Sequence, residues 1–406
     1  MFRQFAFVFS ALTAFSGSLA LATPPLPVFQ AQDVDTSVGV GYGVALGDVN
    51  GDRKDDIVLV DTDEVAWYRN PDWTRFVIFR KRSERDNVCL AVKDVDFDGK
   101  AEVAVGGGWY PSDTDTVGTV HYLLPPADRH QLWEPVGLFA EPTVHRMRWC
   151  RRADGGFQFV VVPLHGRGNR NGEGEGATIL RYYPLADPRG RWKILVVDAS
   201  LHHAHNFDTL QWDMDLEDEI LVAAREGVFL FDQDPGGWWN RTQLTDGRTG
   251  SEDSPGGASE VRAGRLPGGG RYLAAVEPLH GNELVLYAAP QTGKKLWKRK
   301  VLDDTLREGH ALACADLIGS NWDQVLVGWR KKNDKGKTGI QLYVPLDPEW
   351  DRWQKVPVDG NDMACEDLTV GDLDGDGRLD IVASGRATHN LRIYWNRGLR
   401  ESKSSS

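Results

Sequence analysis

The stretch DLDGDGRLD, residues 372–380, decides the fold of this chain. Its four carboxylates alternate with small or flexible residues and stand at Asp372, Asp374, Asp376 and Asp380. Hard cations such as Ca²⁺ take several oxygen ligands in a compact cage, and this spacing supplies them. The spacing after the third Asp is too short for an EF-hand, and the following apolar run at 381–383 is typical of a strand. We therefore expect a Ca²⁺-binding loop between two β-strands.

The same cassette occurs four more times upstream, each copy being followed by an apolar run. The candidate ligands are Asp48, Asn50, Asp52 and Asp56 in the first copy, Asp94, Asp96, Asp98 and Glu102 in the second, and Asp213 and Asp215 in a shortened third, while a degraded fourth begins at Asp316. Segments 144–166 and 258–281 have the same strand–turn–strand plan without the acids. Together these make seven units with a period of about 50 to 60 residues, which is typical of propeller blades.

The repeats predict an all-β, seven-bladed propeller with four-stranded blades over residues 23–400. Alternating apolar residues, aromatic residues in the third strand and Gly-Asp turns support this prediction. The last unit ends after its third strand, near Asn396. We expect the segment Pro27 to Asp33 to supply the missing outer strand and so close the ring without a free edge.

The N-terminal residues predict that the protein is exported. Residues 1–22 combine Arg3, an apolar stretch and a small-residue Ala-Leu-Ala end, which is typical of a signal peptide. The protein is then periplasmic or extracellular. Residues 401–406 are expected to be a disordered tail. No later segment is apolar enough to span a bilayer.

The amino-acid composition excludes some classes of binding partner. A formal net charge of -12 and the lack of a basic stripe argue against a nucleic-acid or anionic-membrane partner. The content of fifteen Trp residues is high and is common in proteins that bind sugars, although Trp also packs β-cores. We expect a carbohydrate or keto-sugar partner, and the oligomeric state stays open. The four cysteines are either buried free thiols, the interpretation we favour, or disulfides.

A propeller places the acidic cassettes on one face of the disc, where we expect a structural role for Ca²⁺. Six of the ten histidines fall on the opposite face, at the starts of first strands or after second strands. They are His145, His165, His205, His280, His310 and His389, and the charged residues at equivalent positions include Glu260, Asp362, Glu366, Arg330 and Arg386. Neutral imidazoles can bind Mg²⁺ or a transition metal such as Zn²⁺, or can move protons while Arg stabilises an oxyanion. The alternative is a polar cavity that binds a glycan without catalysing a reaction.

Two resemblances add to this. The DxDxDG cassettes resemble the FG-GAP or VCBS repeats of integrin-type propellers. The phrases PLHGRGNRNGEGEG, HNFD, EPLHGNE, EGHALACADL and DLTVGDLDGDGRLDIVASGRATHN resemble the propeller domain of aldos-2-ulose dehydratases, lyases that act on keto-sugars such as 1,5-anhydrofructose and glucosone. This second resemblance implies an active cleft with a divalent cation nearby, and would place His165, His205, His280, His310 and His389 there.

The leading hypothesis is an exported lyase that eliminates water, or another β-leaving group, from a keto-sugar. In it, His205 and His310 have acid–base or metal-binding roles, and Glu260 and Asp362 are weaker candidates. The competing hypotheses are a non-catalytic, Ca²⁺-stabilised module that binds carbohydrate or protein, and a purely structural scaffold.

Overall fold

The chain folds into seven four-stranded antiparallel sheets. The computed structural model describes residues 26–400 except 171, 235, 251–255, 268, 291–295 and 348–350, so the predicted signal peptide (1–22) and tail (401–406) lie outside the described residues. Inner strands of neighbouring sheets contact one another around a complete circle, which makes the sheets blades of a closed propeller. The predicted fold class is confirmed. In the part that the structure describes, no helix is long and apolar enough to cross a membrane.

Each blade contributes one strand to each of four concentric positions, numbered here in chain order. The inner strands are β2 (Gly43–Gly47), β6 (Asp86–Lys93), β10 (Val144–Arg151), β14 (Asn206–Leu210), β18 (Glu260–Arg265), β22 (Gly309–Ala315) and β26 (Cys365–Gly371). The second strands are β3 (Asp56–Val60), β7 (Glu102–Trp109), β11 (Phe157–Pro163), β15 (Glu219–Ala224), β19 (Arg271–Glu277), β23 (Gln324–Trp329) and β27 (Asp380–Gly385). The third strands are β4 (Glu64–Arg69), β8 (Thr119–Leu124), β12 (Ile179–Tyr183), β16 (Gly227–Gln233), β20 (Glu283–Ala288), β24 (Gly339–Pro345) and β28 (Asn390–Leu399). The outer strands are β1 (Pro27–Asp35), β5 (Thr74–Arg80), β9 (Glu134–Leu138), β13 (Lys193–Asp198), β17 (Trp239–Thr245), β21 (Lys298–Asp303) and β25 (Trp353–Pro357).

The N-terminal strand closes the ring, as predicted. β1 pairs antiparallel with β28, with Ala31 opposite Tyr394, and completes the blade formed by β26, β27 and β28. The strand runs two residues beyond the predicted Asp33. The first and last described strands, β1 and β28, therefore lie in one sheet, and the seventh blade has four strands like the others.

The core lies between the blades. All residues of β3, β15, β23 and β27 are buried, because each second strand is covered by a neighbouring blade on both sides. This explains their unbroken apolar runs, since a strand covered on both faces has no polar side to alternate with. All four cysteines are free thiols, and Cys89, Cys150 and Cys365 are buried. The thiol interpretation is confirmed.

The topology separates the two faces of the disc. Every acidic cassette connects a first strand to a second strand, for example β26 to β27, and this defines the cation-loop face. The starts of the inner strands and the ends of the second strands lie on the opposite, histidine face. The assignment of the repeats to the FG-GAP or VCBS type stays a prediction.

Packing across the closing seam makes a testable prediction. Ile393 in β28 is fully buried and packs with Leu59 and Tyr68 of the first blade. We expect Ile393→Ala to lower the free energy of unfolding by about 2–5 kcal/mol, measured as a shift in the chemical denaturation midpoint. Val28→Ala, at an exposed position of β1, is the matched control with an expected change within about 0.5 kcal/mol. Equal shifts for the two variants would contradict this account of the seam.

Candidate functional site

Three histidines from three successive blades converge on the histidine face. His205 precedes β14, His280 follows β19 and His310 lies in β22. One ring nitrogen of each lies within 4.8 Å of the others, and His280 Nε2 is 2.6 Å from His205 Nε2. We call these residues the histidine triad. Sequence reasoning had placed all three on one face, and the structure brings their ring nitrogens together.

The next blade fixes the tautomer of two triad members. His205 Nδ1 is 3.1 Å from the carbonyl oxygen of Ser259, and His310 Nδ1 is 2.6 Å from that of Glu366. A carbonyl oxygen only accepts, so each Nδ1 carries the hydrogen and each Nε2 presents a lone pair to the centre. Metal-ligating histidines are typically oriented by this type of hydrogen bond.

His205 and His310 are buried, His280 is half-buried, and all three are uncharged. His205 is 1% and His310 3% exposed, and burial lowers the pKa of His205, His280 and His310 well below the ordinary value of 6.5. Protein atoms replace the water that would stabilise an imidazolium, and the nearby Arg330 guanidinium disfavours a second positive charge at His310. Neutral imidazole is the form that binds metal ions.

β-Bulges aim several side chains at this site. The pairing register shifts between Val144 and Arg146, between Gly309 and Ala311, and between Cys365 and Asp367. The residue at each shift is a site residue, namely His145, His310 and Glu366. A bulge turns one side chain away from the regular alternation of a strand, which is a common device beside functional sites.

A buried carboxylate joins two guanidinium groups beside the triad. Glu366 is 1% exposed and accepts hydrogen bonds from Arg330 Nη1 at 2.9 and 3.0 Å and from Arg386 Nη1 at 3.0 Å. Arg330 Nη2 lies 3.4 Å from His280 Nδ1. Arg330 is therefore a positive charge directly against the triad, held in place by Glu366.

Further histidines continue the cluster on its other side. The His145 ring stacks on Trp109, with ring centroids 4.5 Å apart, and lies 4.8 Å from the His205 ring. His145 Nε2 is buried and has no hydrogen-bond partner among the described residues. The rings of His165 and His203 are 4.4 Å apart, and His165 Nδ1 likewise lacks a partner there. Unpaired buried ring nitrogens leave hydrogen-bonding capacity for a ligand.

Sequence reasoning missed His203. It stands two residues before His205 in the run His202-His203-Ala204-His205, so its signal was adjacency to a predicted site residue. Burial lowers its pKa to about 3 and lowers that of His165 to about 4. Its neighbour His202 instead points to Glu226, with Nδ1 2.7 Å from Oε1. The sequence alone does not tell these two histidines apart.

Glu260 lies beneath the triad. Its side chain is fully buried, accepts a hydrogen bond from Asn206 Nδ2 at 2.6 Å, and has Oε1 3.2 Å from His205 Nδ1. Burial raises the pKa of Glu260, and Arg262 opposes that shift. Glu260 therefore contacts the Nδ1 side of His205, which is the side of the ring turned away from the centre of the triad.

The structure does not bring His389 or Asp362 into the cluster. His389 is exposed, and its Nδ1 lies 2.8 Å from the carbonyl oxygen of Gly39, between β1 and β2. Asp362 is also exposed, and its carbonyl oxygen accepts a hydrogen bond from Asn390. Both lie on the histidine face, at the closing blade, away from the triad.

The cation loops differ from one another. Carboxylate oxygens lie within 4.8 Å of one another in three groups, formed by Asp94, Asp96 and Glu102, by Asp213, Glu219 and Asp232, and by Asp372, Asp374 and Asp380. Among the described residues, no such group contains Asp48, Asp52, Asp56, Asp98, Asp215 or Asp376, and Asn50 donates from Nδ2 to Asp52 at 3.2 Å. Sequence reasoning did not single out Glu219 and Asp232 as ligands.

Two kinds of carboxylate build each loop. Asp372 accepts hydrogen bonds from the backbone N–H groups of Gly375 and Gly377, whose φ angles of 75° and 83° suit glycine. Asp56 is buried and binds the N–H groups of Val49 and Asn70. Burial raises the pKa of Asp56 to about 7, against these two hydrogen bonds. The buried acid anchors the loop to the blade.

Comparison with known proteins supports the fold and points to one family. Residues 117–290 match the family model of the aldos-2-ulose dehydratase β-propeller domain, a range that contains His205 and His280 but ends before His310. No curated protein matches.

Solved structures resemble the chain in fold. A chain in the crystal structure of a mitotic checkpoint complex is 11% identical, with 98% of this chain and 99% of that chain covered and a TM-score of 0.54. A crystal structure of a protein of unknown function from Dyadobacter fermentans DSM 18053 is 14% identical over 79% of this chain and 98% of that chain, with a TM-score of 0.49. The first likeness shows the fold alone.

The buried histidines predict how stability depends on pH. The pKa values of His165 and His203 are lower in the folded chain than the ordinary 6.5, so the unfolded chain binds more protons below that pH. Stability is therefore complete above about pH 6.5 and falls as the pH drops toward 4. At pH 5 each histidine should cost up to roughly 2 kcal/mol relative to pH 7.

Thermal unfolding between pH 7 and pH 5 checks this prediction. The double variant His165→Gln, His203→Gln should lose less stability over that interval than the parent chain, because it lacks two of the titrating groups. His389→Gln, at an exposed histidine, should follow the parent. A double variant with the parent's pH dependence would show that these two imidazoles are not kept neutral by the fold.

Proposed function

We propose that this chain is a metal-dependent carbon–oxygen lyase that removes water from a keto-sugar at the histidine triad. One observation carries the proposal: three neutral imidazoles from three blades converge, two of them with Nδ1 fixed on backbone carbonyls. The match of residues 117–290 to an aldos-2-ulose dehydratase propeller supports the sugar and the elimination chemistry.

The triad fits a transition metal. His205, His280 and His310 would bind it through their Nε2 atoms, and three imidazole nitrogens suit Zn²⁺ better than Mg²⁺, which prefers oxygen ligands. The 2.6 Å separation of His205 Nε2 and His280 Nε2 requires a proton on one of them. Because His205 carries its hydrogen on Nδ1, this proton is on His280 Nε2, and it would have to move to His280 Nδ1 for that ring to bind a metal as neutral imidazole. When bound, such an ion supplies a Lewis acid that polarises a carbonyl oxygen.

Residues around the triad perform the remaining steps. The Arg330 guanidinium stabilises the negative charge that develops on the carbonyl oxygen as the adjacent C–H proton is removed. His203, neutral and partly exposed beside His165, accepts that proton. The electron pair of the C–H bond forms the C=C bond while the β C–O bond breaks. His203 then returns the proton to the leaving oxygen, and water departs.

A non-catalytic sugar-binding propeller is the second candidate. The observation that favours it is burial, because His145, His205 and His310 are 5%, 1% and 3% exposed, and a substrate has to displace covering groups to reach them. This candidate predicts sugar binding without turnover.

We further propose that the carboxylate groups on the cation-loop face bind Ca²⁺ and stiffen the turns between first and second strands. Three groups of converging carboxylates support this proposal. We also propose that the protein is exported, because residues 1–22 have the pattern of a signal peptide.

Product formation tests the lyase. Zn²⁺-loaded protein incubated with 1,5-anhydrofructose or glucosone should form an enone, followed by its ultraviolet absorbance. His310→Ala should lower the rate by more than the roughly 10–100-fold that is typical for loss of an outer-shell partner, because it removes a metal ligand itself. His389→Ala, which lies outside the cluster, should keep the parent rate. If the metal-loaded parent forms no product from either sugar or from related keto-glycosides, the lyase proposal is wrong.

Metal content separates the two proposed kinds of site. After dialysis against Zn²⁺ and Ca²⁺, His310→Ala should lose Zn²⁺ and keep Ca²⁺, measured by elemental analysis. Asp374→Asn, in the seventh-blade loop, should lose one equivalent of Ca²⁺ and keep Zn²⁺. Zn²⁺ retained at parental stoichiometry in His310→Ala would contradict the assignment of the triad.

A further inference from the structure

A polar pocket lies in the central channel, which is the space enclosed by the seven inner strands. It has a volume of about 410 Å³ and is lined by the second halves of β2, β22 and β26. Four charged side chains from four inner strands reach into it, namely Arg148, Asp208, Arg262 and Asp367. We call this the channel pocket. Its size lies in the range of small-molecule sites.

The channel pocket is separate from the histidine triad. The inner strands run from the histidine face to the cation-loop face, so Asn206 and Glu260 lie between the triad and the pocket. Asn206 Nδ2 donates to Glu260 Oε2 at 2.6 Å, and both side chains are buried. None of the residues that line the channel pocket belongs to the triad. A ligand held by these lining residues would therefore occupy a site distinct from the triad.

The charged groups of the pocket are incompletely paired. Arg148 Nε is 4.0 Å from Asp208 Oδ1, and Arg262 Nε is 3.9 Å from Asp208 Oδ2, distances too long for hydrogen bonds. The described partners of these guanidinium groups are the carbonyl oxygens of Phe207 and Val261 and the Asn206 amide. A guanidinium has five N–H groups, so each of the two has N–H groups to spare.

The two carboxylates also have spare capacity. Asp367 Oδ2 accepts one hydrogen bond, from Val44 N at 2.9 Å, and Asp208 Oδ1 accepts one from the N–H of Thr209 at 3.1 Å. Arg148 and Asp208 keep 32% and 27% of their side-chain surface accessible, although both lie inside the channel. Both donors and acceptors therefore face the open volume, which is the setting in which a polar ligand gains hydrogen bonds.

We propose that the channel pocket binds a neutral, polyhydroxylated molecule the size of a monosaccharide. Among the lining residues two guanidinium groups balance two carboxylates, and the adjacent Arg146 is balanced by Glu260, so neither a small anion nor a cation is favoured. A sugar hydroxyl both donates and accepts, and so matches an alternation of Arg and Asp. Ala45 and Ala313 leave space and an apolar wall for the ring carbons.

Calorimetric titration with 1,5-anhydroglucitol tests this proposal. The probe is neutral and lacks a carbonyl, so it cannot undergo the elimination proposed for the triad. The parent chain should bind it. The double variant Asp208→Asn, Arg262→Gln removes one negative and one positive charge and so keeps the net charge. It should bind at least about tenfold more weakly, because hydrogen bonds to charged groups are lost. His310→Ala should bind like the parent, which separates this result from the fate of the lyase proposal.

A second variant tests the pocket in a chain that keeps all four charges, in case the double variant does not fold. Ala313→Leu leaves all four charges in place and fills part of the pocket, and it should also weaken binding about tenfold or more while the circular dichroism spectrum stays that of the parent. Three results would overturn the proposal: no binding of the probe by the folded parent, loss of binding in His310→Ala but not in the double variant, or binding of sodium acetate as tight as that of the probe.

Discussion

The site depends on hydrogen bonds between imidazoles and backbone carbonyls of the next blade. His205 of the fourth blade donates to Ser259 at the start of the fifth, and His310 of the sixth donates to Glu366 at the start of the seventh. Each of these bonds fixes a tautomer and at the same time ties two blades together. Ring closure by β1 and β28 keeps the blades at the spacing that these bonds require. The geometry of the triad is therefore a property of the closed propeller.

Burial gives the two faces opposite chemical characters. On the histidine face, desolvation keeps imidazoles neutral and available as ligands, with Arg330 as the nearby positive charge. On the cation-loop face, carboxylates such as Asp372 are held close together by short loops, where a hard cation would relieve their repulsion. The channel pocket lies between these extremes, with equal numbers of Arg and Asp. One fold thus carries a cluster of imidazoles on one face, clusters of carboxylates on the other, and a pocket lined by Arg and Asp in the channel between them.

The sequence predicted the fold more completely than the site. Repeated acidic turns set the register of the blades, and the short last unit required an outer strand from elsewhere, which β1 provides. The site was harder, because β-bulges at His145, His310 and Glu366 decide where those side chains point, and a bulge leaves no simple pattern in one sequence. The position of His389 depends on its contact with Gly39, which comes from a segment 350 residues away. Such long-range contacts are not encoded in local periodicity.

Anomalous diffraction at the zinc absorption edge, from crystals grown with Zn²⁺, tests directly whether the three imidazoles bind a metal. One strong peak is expected about 2.0–2.1 Å from the Nε2 atoms of His205, His280 and His310. Anomalous density confined to the carboxylate loops, with none between the three imidazoles, would contradict this expectation.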